Sequence, residues 1–484
     1  MRIKLSFLAT AIVATAFGAS ISADASDGFT DACSWDAYNA GYHGVGDNPK
    51  GFVGGVFDGR YIYFVPNNDG AYNGEVLRYD TFGGFREVSA WVAYSPKAHG
   101  VGVDPSGFNG GLFDGRYVYF IPDENSGGPH GEVLRYDTTG AFSDIASWRT
   151  FDPSKNGVGD DPVGFAGGAF DGRYLYFAPF INSTGRHGEV LRYDTTAAFE
   201  VAASWITFDA GAHGVGDEIG YSGAVFDGRF VYFVANCSVD NLPHGEFRRY
   251  DTAGDFRNVS SWTAYDPGAN GVGDDLDGFV SGVFDGRYVY FAPGWIVPSY
   301  HGQTLRFDTA ADFETASSWT AFDPGAAGLG DDPDGYYGAV YDGRYVYYVP
   351  CHNGSQCHAE VLRCDTTGVY TDLASWAVFN ASTEGLTSVG GYSRGVFDGR
   401  HVYFCPNRWG VSPNFGQVLR FDTETCPGDV NHDGIVDLSD LAQLLGNYNL
   451  TGEATCEDGD LDGDEDVDLN DLAALLTVYG DTCD

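Results

Sequence analysis

The residues best suited to chemistry lie in two acidic segments near the C-terminus, one starting at Asp429 and the other 31 residues later at Asp460. Each segment places oxygen-bearing residues at positions 1, 3, 5, 7, 9 and 12 of a short loop, with position 7 contributing its backbone carbonyl. This spacing lets one loop surround a hard divalent cation, so the sequence predicts two Ca²⁺ ions. The predicted ligands are Asp429, Asn431, Asp433, the Ile435 carbonyl, Asp437 and Asp440 in the first loop, and Asp460, Asp462, Asp464, the Asp466 carbonyl, Asp468 and Asp471 in the second.

Each loop runs into the pattern Leu-Ala-x-Leu-Leu, which predicts one amphipathic helix per loop. Two loop–helix units at this spacing resemble a type I dockerin domain, over roughly residues 426–484. The resemblance implies calcium-dependent folding and docking to a cohesin-type protein, with Leu438, Ser439, Leu469 and Asn470 at the partner-binding positions. Glu465 stands where the first loop has Gly434, and positive φ costs more for Glu, so we expect a weaker second site.

A second set of candidate residues is a histidine that recurs at the start of one strand in five repeats. These residues offer a metal or ligand site on one face of the molecule, because histidine is a common metal ligand. Recurrence in repeat after repeat instead favours a hydrogen-bonding residue at a structural corner. The five histidines are His130, His187, His244, His301 and His358.

The elements that must position these histidines follow from a repeat of Phe-Asp-Gly-Arg. Its seven copies start at Phe57, Phe113, Phe170, Phe226, Phe284, Tyr341 and Phe397, with steps of 56 to 58 residues. Each unit reads as four strands, A to D, and Asp-Gly predicts a type I′ hairpin turn between A and B. Strand B is apolar at consecutive positions, so both of its faces should be buried.

The two ends of the array predict how it closes. A Ser34-Trp35 strand of type D precedes the first copy, whereas the last unit ends at Thr423 without its own strand D. The N-terminal strand can therefore complete the last unit and hide the exposed edges. We predict an all-β seven-bladed β-propeller over residues 27–424, and the repeats resemble the kelch-type propeller family.

Loops that join strands B and C vary most between repeats, and variable loops on a rigid scaffold commonly carry binding residues. Aromatic side chains in these loops suit sugar rings or cations, although they also serve ordinary packing at blade edges. The candidates are Phe180, Trp295, Tyr300 and Trp409. The recurring arginines and turn aspartates are instead expected to be structural, because a catalytic site is an asymmetric constellation.

Composition excludes some classes of partner and indicates where the protein is located. The formal charge of −42 argues against nucleic acid as a partner and against anionic membrane surfaces. Residues 1–25 read as a signal peptide, and no later segment is long and apolar enough to insert in a membrane, so we expect a secreted or cell-surface protein. Nine cysteines fit export, with Cys426–Cys483 the preferred disulfide and Cys351–Cys357 a weaker candidate.

Three functions remain open from these observations. The preferred one is a non-catalytic secreted protein whose propeller binds a glycan or protein and whose tail attaches it to an extracellular assembly. The second is a polysaccharide-degrading enzyme, a lyase or glycoside hydrolase, working from the loop face; some lyases are propellers with a histidine-held metal. The third is a structural surface or matrix protein. An asymmetric set of acids or histidines near the ring axis would distinguish the first two.

Overall fold

The structure is a computed structural model, and it describes residues 28–47, 49–238, 240, 242–274, 276–296, 299–387, 390–407, 416–424, 428–431, 434–452, 454–461 and 466–482. Several sequence predictions lie outside the described residues. These are the signal peptide, Trp409, Asp433, Asp462, Asp464 and the Cys426–Cys483 disulfide.

Seven four-stranded antiparallel sheets form the blades of a propeller, and the prediction of this fold is confirmed. Strands A to D are Phe52–Phe57, Tyr61–Pro66, Val76–Asp80 and Trp91–Tyr94 in blade 1, and Phe108–Phe113, Tyr117–Pro122, Val133–Asp137 and Trp148–Phe151 in blade 2. They are Phe165–Phe170, Tyr174–Pro179, Val190–Asp194 and Trp205–Phe208 in blade 3, and Tyr221–Phe226, Phe230–Ala235, Phe247–Asp251 and Trp262–Tyr265 in blade 4. They are Phe279–Phe284, Tyr288–Pro293, Thr304–Asp308 and Trp319–Phe322 in blade 5, and Tyr336–Tyr341, Tyr345–Pro350, Glu360–Asp365 and Trp376–Asn380 in blade 6.

The seventh blade joins the two ends of the array, as predicted. Its strands A to C are Tyr392–Phe397, His401–Pro406 and Val418–Asp422, and its strand D is the N-terminal Trp35–Tyr38. Trp35 lies opposite Phe421 and Tyr38 opposite Val418. The A strands of all seven blades contact their neighbours around a closed ring, so they line a central channel.

The A–B turns differ in one respect from the prediction. In blade 2, Gly115 has φ +99° but Asp114 does not have positive φ, so the predicted type I′ turn is wrong. The Asp114 carboxylate instead accepts hydrogen bonds from the backbone N–H groups of Arg116 and Tyr117, at 2.9 and 2.7 Å. The Asp114 side chain thus provides the acceptor for the N–H groups of the turn, and only the glycine needs a left-handed backbone conformation.

Short helices and hairpins complete the described chain. A single 3₁₀ turn precedes each strand D, at Ala32–Ser34, Val88–Ala90, Ile145–Ser147, Ala202–Ser204, Val259–Ser261, Ala316–Ser318 and Leu373–Ser375; others lie at Gly41–His43, Lys97–His99, Ser154–Asn156, Gly211–His213 and Cys456–Asp458. Two-residue strands pair in three B–C loops: Glu124–Asn125 with Gly128–Pro129, Ile181–Asn182 with Gly185–Arg186, and Trp295–Ile296 with Ser299–Tyr300.

The C-terminal segment contains two α-helices, α1 (Leu438–Gly446) and α2 (Leu469–Thr477), which pack against each other. Leu444 and Leu475 are fully buried, because the apolar face of each helix turns into a small shared core. Each acidic loop pairs with the segment after the opposite helix, Ile435 with Thr482 and Asp466 with Thr451. The two loop–helix units therefore depend on each other for packing.

One disulfide joins the propeller to this C-terminal segment. It links Cys33, two residues before the closing strand, to Cys456, between the two acidic loops. The sequence offered no partner for either cysteine. No helix in the described part of the chain has the length and apolar character needed to cross a membrane.

Candidate functional site

Each acidic loop is organised by the aspartate at its twelfth position. Asp440 and Asp471 have no exposed surface, although a buried carboxylate is costly without partners. Asp471 accepts hydrogen bonds from the backbone N–H groups of Leu461 (2.7 Å) and Asp468 (2.6 Å). Asp440 accepts hydrogen bonds from the backbone N–H groups of Asn431 (3.1 Å) and Asp437 (2.8 Å). Both loops therefore hold their last acid by the N–H at position 9 and by a second N–H near the loop start, at position 3 in the first loop and position 2 in the second.

The second loop brings three acids close enough to share a cation. Asp466, Asp468 and Asp471 each place a carboxylate oxygen within 4.8 Å of the other two, the only such group of three possible ligands in the described part of the chain. In the first loop, the Oδ1 atom of Asn431 is buried without a hydrogen-bond partner among the residues that the structure describes. A donor set made only of oxygens fits a hard cation such as Ca²⁺.

The predicted partner-binding residues begin the two helices and face solvent. Leu438 and Leu469 are 69% and 65% exposed, which is unusual for leucine, and Ser439 and Asn470 are exposed beside them. Of the sixteen exposed large apolar side chains among the described residues, seven belong to this C-terminal segment: Ile435, Leu438, Leu445, Leu450, Leu469, Leu476 and Tyr479. Such a concentration is typical of a protein-interaction surface.

The five recurring histidines are buried, each in a different blade, and the structure brings no two of them together as ligands of one metal. Each packs edge-on against the first aromatic residue of its own strand A; for example, the rings of His301 and Phe279 are 5.6 Å apart. Burial lowers the pKa of His244, His301 and His358 to about 4. Neutral imidazoles in this setting act as packing residues at the blade corners.

Other recurring polar residues also have structural partners. Arg60 pairs with Asp80 at 2.7 Å, and the same ion pair recurs in all seven blades. A glutamate that follows the corner histidine holds the preceding D–A loop: Glu189 accepts the backbone N–H groups of Asp160 and Asp161, at 2.9 and 3.1 Å. The acidic D–A loops are therefore anchored turns.

Two of the predicted loop-face aromatics have defined contacts. The Arg186 guanidinium stacks 3.7 Å from the centre of the Phe180 ring, and Tyr300 lies against His352 with ring centres 5.1 Å apart. Trp295 lies in the hairpin of the blade 5 B–C loop. Phe180 belongs to the B–C loop of blade 3, whereas Trp295 and Tyr300 share the hairpin of blade 5.

The channel contains one arginine that breaks the repeat. At the third position of strand A, five blades have glycine and blade 5 has Ser281, whereas blade 7 has Arg394. Its φ of +54° is left-handed, one of two such values among the described non-glycine residues. The side chain extends past Gly110 and Gly167, where a Cβ atom would collide with the guanidinium. Its Nη2 atom donates to the Ser222 carbonyl of blade 4 at 3.2 Å.

A second departure lies beside it, at the first residue after strand B. Asn67 and Asn236 at this position donate to the inner strand of the next blade, at 2.9 and 2.8 Å. Blade 2 has Asp123 instead, which accepts from Asn109 at 3.2 Å, and burial raises its pKa to about 7. Comparing the repeats column by column would have singled out Arg394, because it replaces a recurring glycine. The column of Asp123 has asparagine in three blades and a different residue in each of the others, so its signal is weaker.

No protein-family model matches the chain, and no curated protein matches it. Among solved structures, the chain is similar to YjhT, with 12% identity, a TM-score of 0.45, and coverage of 69% of this chain and 98% of that one. It is also similar to the WD40 domain of Neurospora crassa Pan2, with 10% identity, a TM-score of 0.48, and coverage of 81% and 96%. The chain is a seven-bladed β-propeller with a short helical C-terminal segment, and this conclusion rests on the sheet topology and the closed ring.

Proposed function

We propose that this is a secreted calcium-binding protein of the kelch-like propeller type, whose propeller binds a glycan or protein ligand. Its dockerin-like C-terminal segment attaches it to an extracellular assembly through a cohesin-type partner. The observation that carries the proposal is the convergence of Asp466, Asp468 and Asp471 in a loop that runs directly into an exposed helix start. A cation there neutralises three close carboxylates and fixes the start of the helix.

The loop residues fit Ca²⁺ better than a softer metal, because each described side chain offers only oxygen. Asp437 and Asp468 also cap their helices, accepting from the backbone N–H groups of Ser439 (2.7 Å) and Asn470 (2.6 Å). Calcium binding therefore orders the loop and the first helical turn together. That turn carries Leu438 and Leu469, so exposure of the partner-binding residues depends on the ion.

Calcium binding is tested by titrating the metal-free full chain in a calorimeter, with an expected stoichiometry of two. Asp468→Ser keeps an oxygen able to cap the helix but removes a ligand, so it should bind one ion; Asp437→Ser should do the same at the first loop. Asp481→Asn is the matched control, because this exposed acid lies outside both loops and should leave the stoichiometry unchanged. Unchanged binding in both serine variants would contradict the proposed sites.

Docking is tested with a cohesin-type domain in a calcium-dependent binding assay. Leu438→Asp and Leu469→Asp place a charge on the exposed helix starts and should weaken binding without changing the calcium stoichiometry. Val201→Asp is a control, since Val201 is an exposed apolar residue of the propeller (49%). Loss of binding in the control alone would place the interface on the propeller.

A further inference from the structure

Arg394 occupies a costly position in the central channel. A residue with a side chain at φ +54° is strained relative to glycine. Blades 1, 2 and 3 avoid this cost, because Gly54, Gly110 and Gly167 take positive φ at the same position. Ring closure does not require the arginine, because those blades pack in the same way without it. The strain is retained for what the side chain does in the channel.

The guanidinium is poorly satisfied for a charged group inside a protein. It has five N–H donors, but among the described residues it makes one hydrogen bond, to the Ser222 carbonyl, and no ion pair. Burial lowers its pKa to about 10, and the nearby charge of Asp123 opposes that shift. A partly accessible arginine with spare donors is suited to pairing with an anion.

Asp123, close to Arg394, offers a ligand a second contact of a different kind. Its Oδ1 atom is buried and accepts no hydrogen bond from any described residue, while Oδ2 accepts from Asn109. Arg186, stacked on Phe180, also interacts electrostatically with Asp123. The free oxygen can accept a hydrogen bond from a hydroxyl group. The channel mouth thus offers a cation for an anionic group and an acceptor for a hydroxyl.

We propose that this mouth binds an acidic sugar, whose carboxylate pairs with Arg394 and whose neighbouring hydroxyl donates to Asp123. The inference rests on the proposed ligand-binding role of the propeller and names the ligand class. A phosphate, with about −1.5 to −2 charges, would be repelled more strongly by Asp123 and by a protein of net charge −42. A neutral sugar would leave the guanidinium without a counter-ion. A singly charged carboxylate on a hydroxylated ring satisfies both groups.

The test is calorimetric titration of the calcium-loaded full chain with glucuronate and galacturonate, compared with glucose, galactose and inorganic phosphate. We expect the uronates to bind and the neutral hexoses and phosphate not to. Arg394→Gly installs the glycine that recurs in other blades, so the fold should persist while uronate affinity falls about 30-fold or more. Arg248→Leu is the matched control, because it removes a buried arginine of blade 4 that interacts with other acids and should leave affinity unchanged.

The possible results test the acidic-sugar site separately from the proposed function. Uronate binding that survives Arg394→Gly, or binding of phosphate or neutral hexoses alone, overturns the acidic-sugar site but leaves a ligand-binding propeller in place. Uronate binding that depends on Arg394 while the chain binds no calcium supports the site and overturns the calcium-dependent half of the proposed function. Absence of any binding by the uronates overturns the inference. Asp123→Asn should weaken binding less than Arg394→Gly, because it replaces a carboxylate acceptor by a weaker amide acceptor and keeps the cation.

Discussion

The Nη2 atom of Arg394, in blade 7, lies 3.2 Å from the carbonyl oxygen of Ser222, in blade 4, so one side chain spans the ring. This contact requires strained backbone at Arg394 and glycine at Gly110 and Gly167. The ring is therefore asymmetric at its centre, although its blades are near copies of one another.

Arg394→Gly should leave the melting temperature unchanged or raise it. The variant loses one hydrogen bond to a backbone carbonyl but gains a residue that adopts positive φ without strain. Thermal denaturation followed by circular dichroism measures the change. A fall of several degrees would mean that the arginine holds the blades together. Gly54→Ala is the control, because it forces a side chain into positive φ at the same position of blade 1 and so measures the cost of backbone strain there.

Asp123→Asn should stabilise the protein at neutral pH. The folded pKa of Asp123 is raised to about 7, mainly by burial, above its ordinary value of 3.8. Between these values the folded state binds more protons than the unfolded state, so its stability falls as pH rises from about 4 to 7. Asparagine does not titrate and can donate as Asn67 does.

The measurement is the free energy of unfolding in denaturant at pH 4.5 and pH 7.5. The difference between wild type and Asp123→Asn should be larger at pH 7.5. Asn67→Asp is the mirror-image control and should destabilise the protein more at pH 7.5 than at pH 4.5. Equal effects at both pH values would show that the Asp123 carboxyl does not titrate in this range.

His301→Asn should reduce the sensitivity of the fold to acid. Burial lowers the pKa of His301 to about 4, so the unfolded state binds more protons between about pH 4 and the ordinary value of 6.5. The histidine therefore costs stability as pH falls through this window, and full stability is present above pH 6.5. Melting temperatures at pH 5 and pH 7.5 should differ less in the variant, and blade 1 already has Asn73 at this position.

Arg248→Leu should change the free energy of unfolding by less than about 1 kcal/mol, or stabilise the protein. Arg248 is fully buried, donates to the Glu218 carbonyl at 2.9 Å, and stands where blade 1 has Leu77. Replacing a buried charge by the apolar residue of the other blades fills the same space. Arg248→Ala leaves a cavity and should cost about 2–4 kcal/mol; a leucine variant as unstable as the alanine one would refute this interpretation.

Non-reducing peptide mapping should recover the peptides of Cys33 and Cys456 as one linked species. Because the crosslink joins residues 423 apart in the chain, Cys33→Ser should lower stability by about 2–5 kcal/mol. Cys364→Ser is a control, since this buried cysteine of strand C forms no disulfide with any described cysteine. Recovery of Cys456 joined to Cys426 or Cys483 instead would contradict the structure.

The periodic features of the sequence predicted most of the fold. Phe-Asp-Gly-Arg marks every A–B turn, and the unpaired Trp35 strand predicts closure, because both signals are local and recur in each blade. The type I′ turn was wrong, since the prediction considered backbone φ and not the side-chain acceptor of Asp114. The disulfide was missed because blade closure brings Cys33 and Cys456 together only in three dimensions.

The candidate site was less predictable than the fold for a related reason. The recurrence of the histidines suggested a shared site, yet each histidine is buried in its own blade. Arginine and aspartate each occur once at the repeat positions of Arg394 and Asp123, and the proximity of these two residues depends on the curvature of the ring. A motif search detects what recurs, whereas this channel is distinguished by residues that occur once.

Closure by the N-terminal strand also determines when the chain can finish folding during its synthesis. Trp35, stacked on Phe379 with ring centres 4.4 Å apart and paired with Phe421, lacks these two partners until almost the whole propeller has left the ribosome. At 5–20 residues per second this delay is on the order of tens of seconds. Throughout that time the first strand has no strand to pair with, so the ring cannot close.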